Sequence, residues 1–284
     1  MPAVLGAAWA LLAAAFLLLL LLHQAQARRP GGGTDVASAF FQDLIRYGKT
    51  KRGGQQAAWL HRLQVPKRWF THFYVVSILW NGFLLIRLFQ AQFLGASLPP
   101  WIQIFHSAFG RDLQDQNTDS ESFSALLVLL LLWLHSFQRL AECLYTSVFS
   151  NGVIHIVQYC FGLGYYLAVG STVLCQVPTN VRNGKGLSVH IFWYHIIGVA
   201  MYFWASLHQH RCLVILANLR KSKSELLIYI SMAITFGFHN VTWWFVVLYV
   251  FFNQTLAAVL CHEFYQEKFT SYPKHRKAFI PFIL

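Results

Sequence analysis

A few groups of polar residues interrupt an otherwise apolar chain, and these are the residues that could do chemistry. His135, Arg139 and Glu142 are spaced by four and then three, which places all three on one face of a helix. Such a stripe is either an internal Arg139–Glu142 ion pair or a polar wall facing a substrate cavity. Gln42 and Asp43 interrupt the apolar stretch 40–45. That stretch reads either as a membrane-surface helix with two solvated residues or as a polar pair aimed at a ligand. A third group is the charged break Arg220-Lys221-Ser222-Lys223-Ser224-Glu225 between two apolar blocks. Its basic groups could hold a phosphate-bearing ligand against the helix ends, or could form a solvated turn. The fourth is the tail, 262–284, where Tyr265 and Tyr272 alternate with Lys274, Arg276 and Lys277. Interleaved tyrosines and cations suit the phosphates and ribose of a dinucleotide, and a basic juxtamembrane tail equally suits anionic lipid.

Metal chemistry is not expected. His190, His195, His208 and His210 are scattered rather than gathered into tight histidine boxes. Cys143, Cys160, Cys175, Cys212 and Cys261 form no C-x-x-C pair, which argues against a zinc site and a disulfide framework.

The elements that must position these groups are membrane helices. Of the 284 residues 56% are hydrophobic and 11% charged, against roughly 25% charged in soluble domains. Several apolar runs approach the ~20 residues that span a bilayer core, and in lipid a continuous apolar run must be helical. The expected fold is an all-α polytopic bundle of about seven transmembrane helices, a single membrane domain over 1–284. The spans are placed at 3–22, 69–93, 123–136, 152–175, 189–207, 226–238 and 241–260. The first run has the small-x-small look of a signal-peptide site at Ala25-Gln26-Ala27. Arg28 and Arg29 follow it directly and no cation precedes it, so an uncleaved span is expected. The last apolar block, 226–260, would make one helix of about 50 Å, too long for a ~30 Å core. A hairpin turning near His239-Asn240 is expected instead, with a first arm that is short for a span. The glycines at 162, 164 and 170 mark where helices pack closely.

The net charge of +12 is accounted for by basic segments at 28–68, 208–225 and 262–284, all on one side if the count is seven. Asp112, Asp115, Asp119 and Glu121 lie on the other side, in a loop, 98–122. Cytoplasmic loops carry the excess of Lys and Arg, which implies a lumenal N-terminus, a cytosolic C-terminus and no nucleic-acid partner. Asn240-Val241-Thr242 is a glycosylation sequon at the expected lumenal turn, too near the bilayer to be modified.

Taken in order, several motifs resemble the steroid 5α-reductase family, most closely its polyprenol (polyprenal) reductase branch. They are Phe41-Gln42-Asp43-Leu44-Ile45-Arg46-Tyr47-Gly48-Lys49, Val65-Pro66-Lys67-Arg68, Trp80-Asn81-Gly82-Phe83, Glu142-Cys143-Leu144-Tyr145, Val157-Gln158-Tyr159-Cys160-Phe161-Gly162, Phe236-Gly237-Phe238-His239-Asn240 and the tail from Ser271 to Phe282. The resemblance covers nearly the whole chain. It implies an endoplasmic-reticulum enzyme of seven transmembrane helices that uses NADPH to saturate the double bond beside a carbonyl at the α end of a polyprenyl lipid, toward dolichol for protein N-glycosylation. It also implies 3-oxo-Δ4-steroids as a related substrate class. Gln42 and Asp43 resemble the Gln-Glu pair that faces the substrate carbonyl, with Asp shortening that arm. His135 and Arg139 resemble the polar helix near the substrate, and Ser136 stands where the steroid enzymes have a tyrosine. Arg220 resembles the arginine that meets the NADPH phosphates, while Tyr265 and Arg276 match tail positions that close the cofactor pocket.

One departure is large. After Asn218-Leu219-Arg220 the family continues through a segment that supplies much of the cofactor contact and ends in Pro-Asn-Tyr-x-x-Glu. Here Lys223-Ser224 runs straight into Glu225, which resembles that final Glu. The resemblance therefore implies a shortened chain that lacks part of the NADPH-binding segment. Two rival readings follow from the residues: a non-catalytic protein that binds prenyl lipid or partners the full-length enzyme, and a membrane methyltransferase with a similar tail.

Overall fold

Long apolar sequence with few interior breaks folds here as helices, because only an internally hydrogen-bonded backbone tolerates lipid. The computed structural model describes residues 3–27, 36–50, 63–109, 118–146, 152–177, 191–216 and 224–269. Within them lie α1 (Ala3–Ala27), α2 (Val36–Ile45), α3 (Phe70–Phe93), α4 (Pro100–Phe109), α5 (Thr118–Ala141), α6 (Ile156–Leu174), α7 (Trp193–Leu216), α8 (Ser224–Thr235) and α9 (Val241–Lys268). A two-stranded antiparallel ladder pairs β1 (Gln64–Pro66) with β2 (Val153–His155), Val65 opposite Ile154.

Side-chain contacts give the directions of the helices. Trp9 of α1 meets Tyr249 of α9, and His23 further along α1 meets Glu263 further along α9, so these two run parallel. Ser77 of α3 bonds Ser136 of α5 while Gln92 of α3 reaches Ser122, so α3 and α5 are antiparallel. His72 and Trp80 of α3 contact Tyr159 and Leu167 of α6, a parallel pair. Ser124 near the start of α5 bonds His195 near the start of α7, and Gln138 later in α5 bonds Ser206. Together with the α8–α9 hairpin, α1, α3, α5, α6, α7, α8 and α9 alternate up and down. That is the order expected of seven crossings.

Five of the helices are long and apolar enough to cross a membrane: those at 4–26, 67–93, 120–145, 156–174 and 241–268. Of the other two, α7 carries His195, His208, His210 and Arg211 along its length, and α8 has only 12 residues. The short first arm of the hairpin is thus a finding as well as an expectation. Its turn lies where it was placed: Gly237 has φ 79, a conformation costly to any residue with a Cβ. Asn240 then caps α9, its side chain accepting from the backbone N–H of Trp243.

Several expectations are corrected. The fourth span does not begin at 152, because 153–155 pair as β2 and α6 starts at Ile156. His155 caps that start, accepting from the Val157 N–H. The fifth span runs further than its apolar core, to Leu216, while the third continues past 136 as the more polar helix expected through Arg139, to Ala141 and the turn that follows it. The segment read as a polar loop, 98–122, contains α4, which buries Ile102 and stacks Trp101 on Phe83. Gly162 and Gly170 do mark close packing, a Cβ there meeting Phe73 and Asn81, whereas around Gly164 nothing lies within 4 Å.

The main core runs through the middle of the bundle, with Leu84, Leu88, Val128, Leu132, Val173, Ile228, Met232 and Trp243 buried in it. A smaller cluster of Leu20, Ile45, Leu256 and Leu260 holds α2 against the ends of α1 and α9. These two packing centres underlie two polar clusters.

Candidate functional site

The first cluster grows from the end of α5. Arg139 donates to Glu142 at 2.6 Å and to the Tyr74 hydroxyl at 3.2 Å, and its guanidinium lies 5.4 Å from the Tyr74 ring centroid. The Arg139–Glu142 pair foreseen from spacing is therefore present. It sits where α5 widens into a π-helical turn, Glu142–Thr146, a distortion common at functional sites. Glu142 also accepts from Gln138 at 3.1 Å.

Glu225, from the first turn of α8, accepts from Gln254 of α9 at 2.9 Å and lies within electrostatic range of Arg139, Tyr74, Tyr166 and Tyr229. Tyr165 donates to the Tyr229 hydroxyl at 2.7 Å, and the His135 ring meets Tyr229 edge-on. Glu225 and Tyr229 are four apart on α8 and so share a face. His135, Arg139 and Glu225, each singled out from sequence, are thus brought together, and four tyrosines that were not singled out join them.

Not every hydroxyl here can serve a ligand. Ser136 donates to the Leu132 carbonyl at 2.9 Å, so the 2.6 Å contact with Ser77 is a hydrogen bond donated by Ser77. The Ser136 hydrogen is committed within its own helix. In contrast, the His135 Nδ1, the Arg139 Nε and the Asn81 Oδ1 are buried with no protein partner. Buried polar atoms are nearly always satisfied; His135 Nδ1 and Arg139 Nε, one turn apart on α5, are left to meet a polar group of a ligand, whereas Asn81 Oδ1 packs against Gly170 of α6. Arg220, expected to meet the cofactor phosphates, and Arg276, expected to help close the cofactor pocket, lie outside the described residues.

The second cluster joins the ends of α1 and α9 to α2. Glu263 accepts from His23 and from Arg46, each at 2.7 Å. Arg46 also donates from Nε to the Gln42 side-chain oxygen at 2.9 Å, and the Gln42 amide reaches Gln26 at 2.9 Å and His23 Nδ1 at 3.3 Å. Asp43, next in sequence, is 5% exposed. Glu263 and Gln254 are nine residues apart on α9, which separates the two clusters by about 13 Å along the helix. Gln42 and Asp43 therefore sit in a group of their own, apart from His135 and Arg139. Tyr265 is half-buried two residues beyond Glu263, meeting Phe264 edge-on and lying tilted against Phe269.

At the opposite end of the bundle a small pocket is lined by Glu121, Ser124, Gln176, Phe236, His239 and Asn240. Among the described residues no three His, Cys, Asp or Glu side chains are grouped so as to hold a metal. Cys143 and Cys175 are buried and neither forms a disulfide among the described residues.

The comparisons with known proteins speak to this arrangement. Residues 222–284 match the family described as 3-oxo-5-alpha-steroid 4-dehydrogenase. The chain is 52% identical over 310 residues to a polyprenal reductase of Ailuropoda melanoleuca, covering 98% of this chain and 95% of the relative. It is 53% identical over 276 residues to a polyprenal reductase of Homo sapiens, covering 86% of each, and 42% identical over 307 residues to one of Danio rerio, covering 97% and 96%.

The chain belongs to the polyprenal reductase family.

Identity of this order extends along nearly the whole length. The Ailuropoda match nevertheless runs over 310 positions, 26 more than the 284 residues here, so at least that many positions of the relative have no counterpart. The family match opens at residue 222, beside the Lys223–Glu225 junction at which the sequence alone placed the missing segment.

What sequence reasoning missed in this polyprenal reductase relative is informative. Tyr74, Tyr165, Tyr166 and Tyr229 sit in apolar runs that read as plain span, although intramembrane polar groups are costly enough to be signals. His23 ends a run that read as an anchor, and only its polar neighbours Gln24 and Gln26 hinted at a polar role.

Proposed function

We propose that this chain is an oxidoreductase acting on a CH–CH group, reducing the α-isoprene double bond of polyprenal with NADPH on the route to dolichol. The observation that carries this reading is the roughly 50% identity to polyprenal reductases over almost all of both chains. The converging polar cluster supports it. Its setting is the endoplasmic-reticulum membrane, with the N-terminus in the lumen and the basic segments facing the cytosol.

NADPH, when bound, supplies the hydride that reaches the β-carbon of the conjugated aldehyde. The chain's own residues bind, orient and polarise. Glu225 and Arg139 border the nicotinamide end, and Arg220, Tyr265 and Arg276 complete the cofactor site. His135 and Arg139 on α5 are the catalytic pair beside that end; Gln42 and Asp43 on α2, which the family resemblance sets at the substrate, act from the separate cluster at the ends of α1 and α9. Negative charge develops on the carbonyl oxygen as the hydride adds, and a fixed hydrogen-bond donor in a dry site stabilises it strongly. Tyr229 is such a donor: it receives the Tyr165 hydrogen and keeps its own to give. The polyprenyl tail stays in lipid, and the apolar outer faces of the helices suit that.

A second reading rests on the 26 or more positions without a counterpart. A chain lacking part of its cofactor segment would hold prenyl lipid, or partner the longer enzyme, without turnover. Microsomes that lack the endogenous enzyme separate the two. This chain, and the same chain with the relative's extra segment restored after Lys223, are supplied with NADPH and polyprenal, and saturated product is measured by mass spectrometry. NADPH-dependent product from this chain, with KM for NADPH raised at least ~10-fold relative to the restored chain, is expected. No product and no NADPH binding, with prenyl lipid retained, establishes the second reading.

A further inference from the structure

The polar cluster at the end of α1 closes on itself. His23 donates from Nε2 to one oxygen of Glu263, and Arg46 donates to the other. Arg46 donates again, from Nε, to the Gln42 side-chain oxygen. The circuit closes where the Gln42 amide meets His23 Nδ1. Each step constrains the next. A glutamine amide nitrogen can only donate, so His23 Nδ1 accepts, and the imidazole is the neutral tautomer with its hydrogen on Nε2. That is the hydrogen Glu263 needs. The four residues come from three separate elements, and His23 and Arg46 are both only 3% exposed.

A consequence follows for Gln42. Its amide has two hydrogens: one goes to Gln26 and the other to His23. Its oxygen is taken by Arg46. No hydrogen of Gln42 remains for a substrate carbonyl. Resting on the reductase reading above, we propose that His23 and Glu263 are positioning residues: with Arg46 they hold Gln42 by its whole amide, fixing α2 so that Asp43, and not Gln42, meets the lipid head group. The N-terminal helix is thereby part of the catalytic apparatus and not only an anchor.

Conservative substitutions resolve the circuit bond by bond. His23→Asn keeps an acceptor near Nδ1 and loses the donor to Glu263, whereas His23→Gln keeps the donor and loses the acceptor. Each should lower kcat roughly 10- to 100-fold, the usual consequence of a misplaced reacting group, with KM for polyprenal changed less than threefold. Gln42→Glu gives the sharper test. Its carboxylate still accepts from Arg46 but has nothing to donate to His23 Nδ1. Only a protonated imidazole, donating from both nitrogens, can bond it and Glu263 together. The charged group in contact with His23 is Glu263 on α9, which also holds Arg46 just past the end of α2, so the protonated ring gives the circuit a compensating charge.

Two carboxylates then flank that imidazole and favour its protonated form, so Gln42→Glu should keep activity toward acid pH and lose it as pH rises, over a range where the parent does not. Adding His23→Gln should abolish that acid-side activity. Loss of activity at every pH, with none kept on the acid side, is the behaviour of an amide that touches substrate and overturns the proposal. Wild-type kinetics and pH profile in Gln42→Glu overturn it as well. A wild-type chain without turnover is a failure of the reductase reading, not of the circuit. The circuit is then read by hydrogen exchange in nanodiscs: Glu263→Gln should speed exchange across 36–45 at least tenfold while leaving 120–145 unchanged, and unaltered exchange across 36–45 refutes it.

Discussion

Gln254 of α9 donates a 2.9 Å hydrogen bond to Glu225 at the start of α8, and this contact joins the two arms of the hairpin at the level of Arg139. The α8 helix begins there, roughly 13 Å short of the Glu263 end of α9. Its brevity therefore places a carboxylate beside the buried guanidinium of α5 instead of at the membrane surface. Packing against α7 and α9, not length, holds α8 in place.

Replacing Gln254 by Leu leaves the Glu225 carboxylate without that donor in a half-buried setting. Hydrogen bonds to charged groups contribute about 1.5–3 kcal/mol, so thermal unfolding in detergent should show a loss of that order. NADPH affinity should fall with it, because the carboxylate loses its fixed orientation. A variant as stable as the parent and with unchanged affinity would remove Glu225 from the cofactor site.

The α7–α8 contact makes a second prediction. A Cβ added to Gly198 would stand 2.2 Å from the Thr235 hydroxyl, 2.9 Å from the Thr235 nitrogen and 3.0 Å from the Ser231 carbonyl. Two of those neighbours are backbone and cannot rotate away. Gly198→Ala should therefore cost about 1–3 kcal/mol by overpacking, measured as a drop in Tm. Gly164→Ala has open space around it and should match or exceed the parent, since Ala favours a helix over Gly by ~1 kcal/mol. Equal behaviour of the two variants would mean that α7 and α8 are not packed this closely.

Asn240 makes a third. Its side-chain oxygen caps α9 by accepting from Trp243, and the residue is 5% exposed. A capped, buried asparagine is closed to a glycosyltransferase. No endoglycosidase-sensitive shift should appear on expression in microsomes, even though the sequon is intact. Asn240→Ala should lower stability by about 1 kcal/mol, the usual effect of losing a cap.

Much of this arrangement was legible in the residues. Apolar runs placed the spans, the excess length of 226–260 placed the hairpin turn near His239-Asn240, and the spacing of Arg139 and Glu142 gave their ion pair. The four-residue delay of α6, which starts at 156 and not 152, was not legible, because Val153-Ile154-His155 is apolar enough to read as helix until it finds Gln64–Pro66 as a partner. The helix in 100–109 was missed because its apolar face, with Trp101 and Ile102, lies between polar residues that read as loop. The two polar clusters were half visible. Charged members announce themselves in an apolar chain, but tyrosines do not, since a tyrosine in a span is equally often a packing residue with a hydroxyl at its rim. What joins His23 to Glu263 is a separation of 240 positions, which no local spacing can express.

The tyrosine pair gives the last prediction. Tyr165 donates to Tyr229 at 2.7 Å, and Tyr229 lies against His135, whose Nδ1 has no partner in the protein. Tyr229→Phe removes one oxygen without changing the ring, so its stacking on Trp243 is kept. If the hydroxyl supports the carbonyl oxygen as charge develops, kcat should fall roughly 10²-fold or more with little change in KM, the signature of a donor acting mainly in the transition state. Tyr165→Phe removes only the hydrogen bond that orients Tyr229 and should fall less, by about tenfold. The double variant should be no worse than Tyr229→Phe alone, because the outer hydroxyl acts through the inner one. Losses that multiply in the double variant, or a Tyr165→Phe more damaging than Tyr229→Phe, would reverse the order of the pair and make Tyr165 the residue nearest the reacting carbonyl.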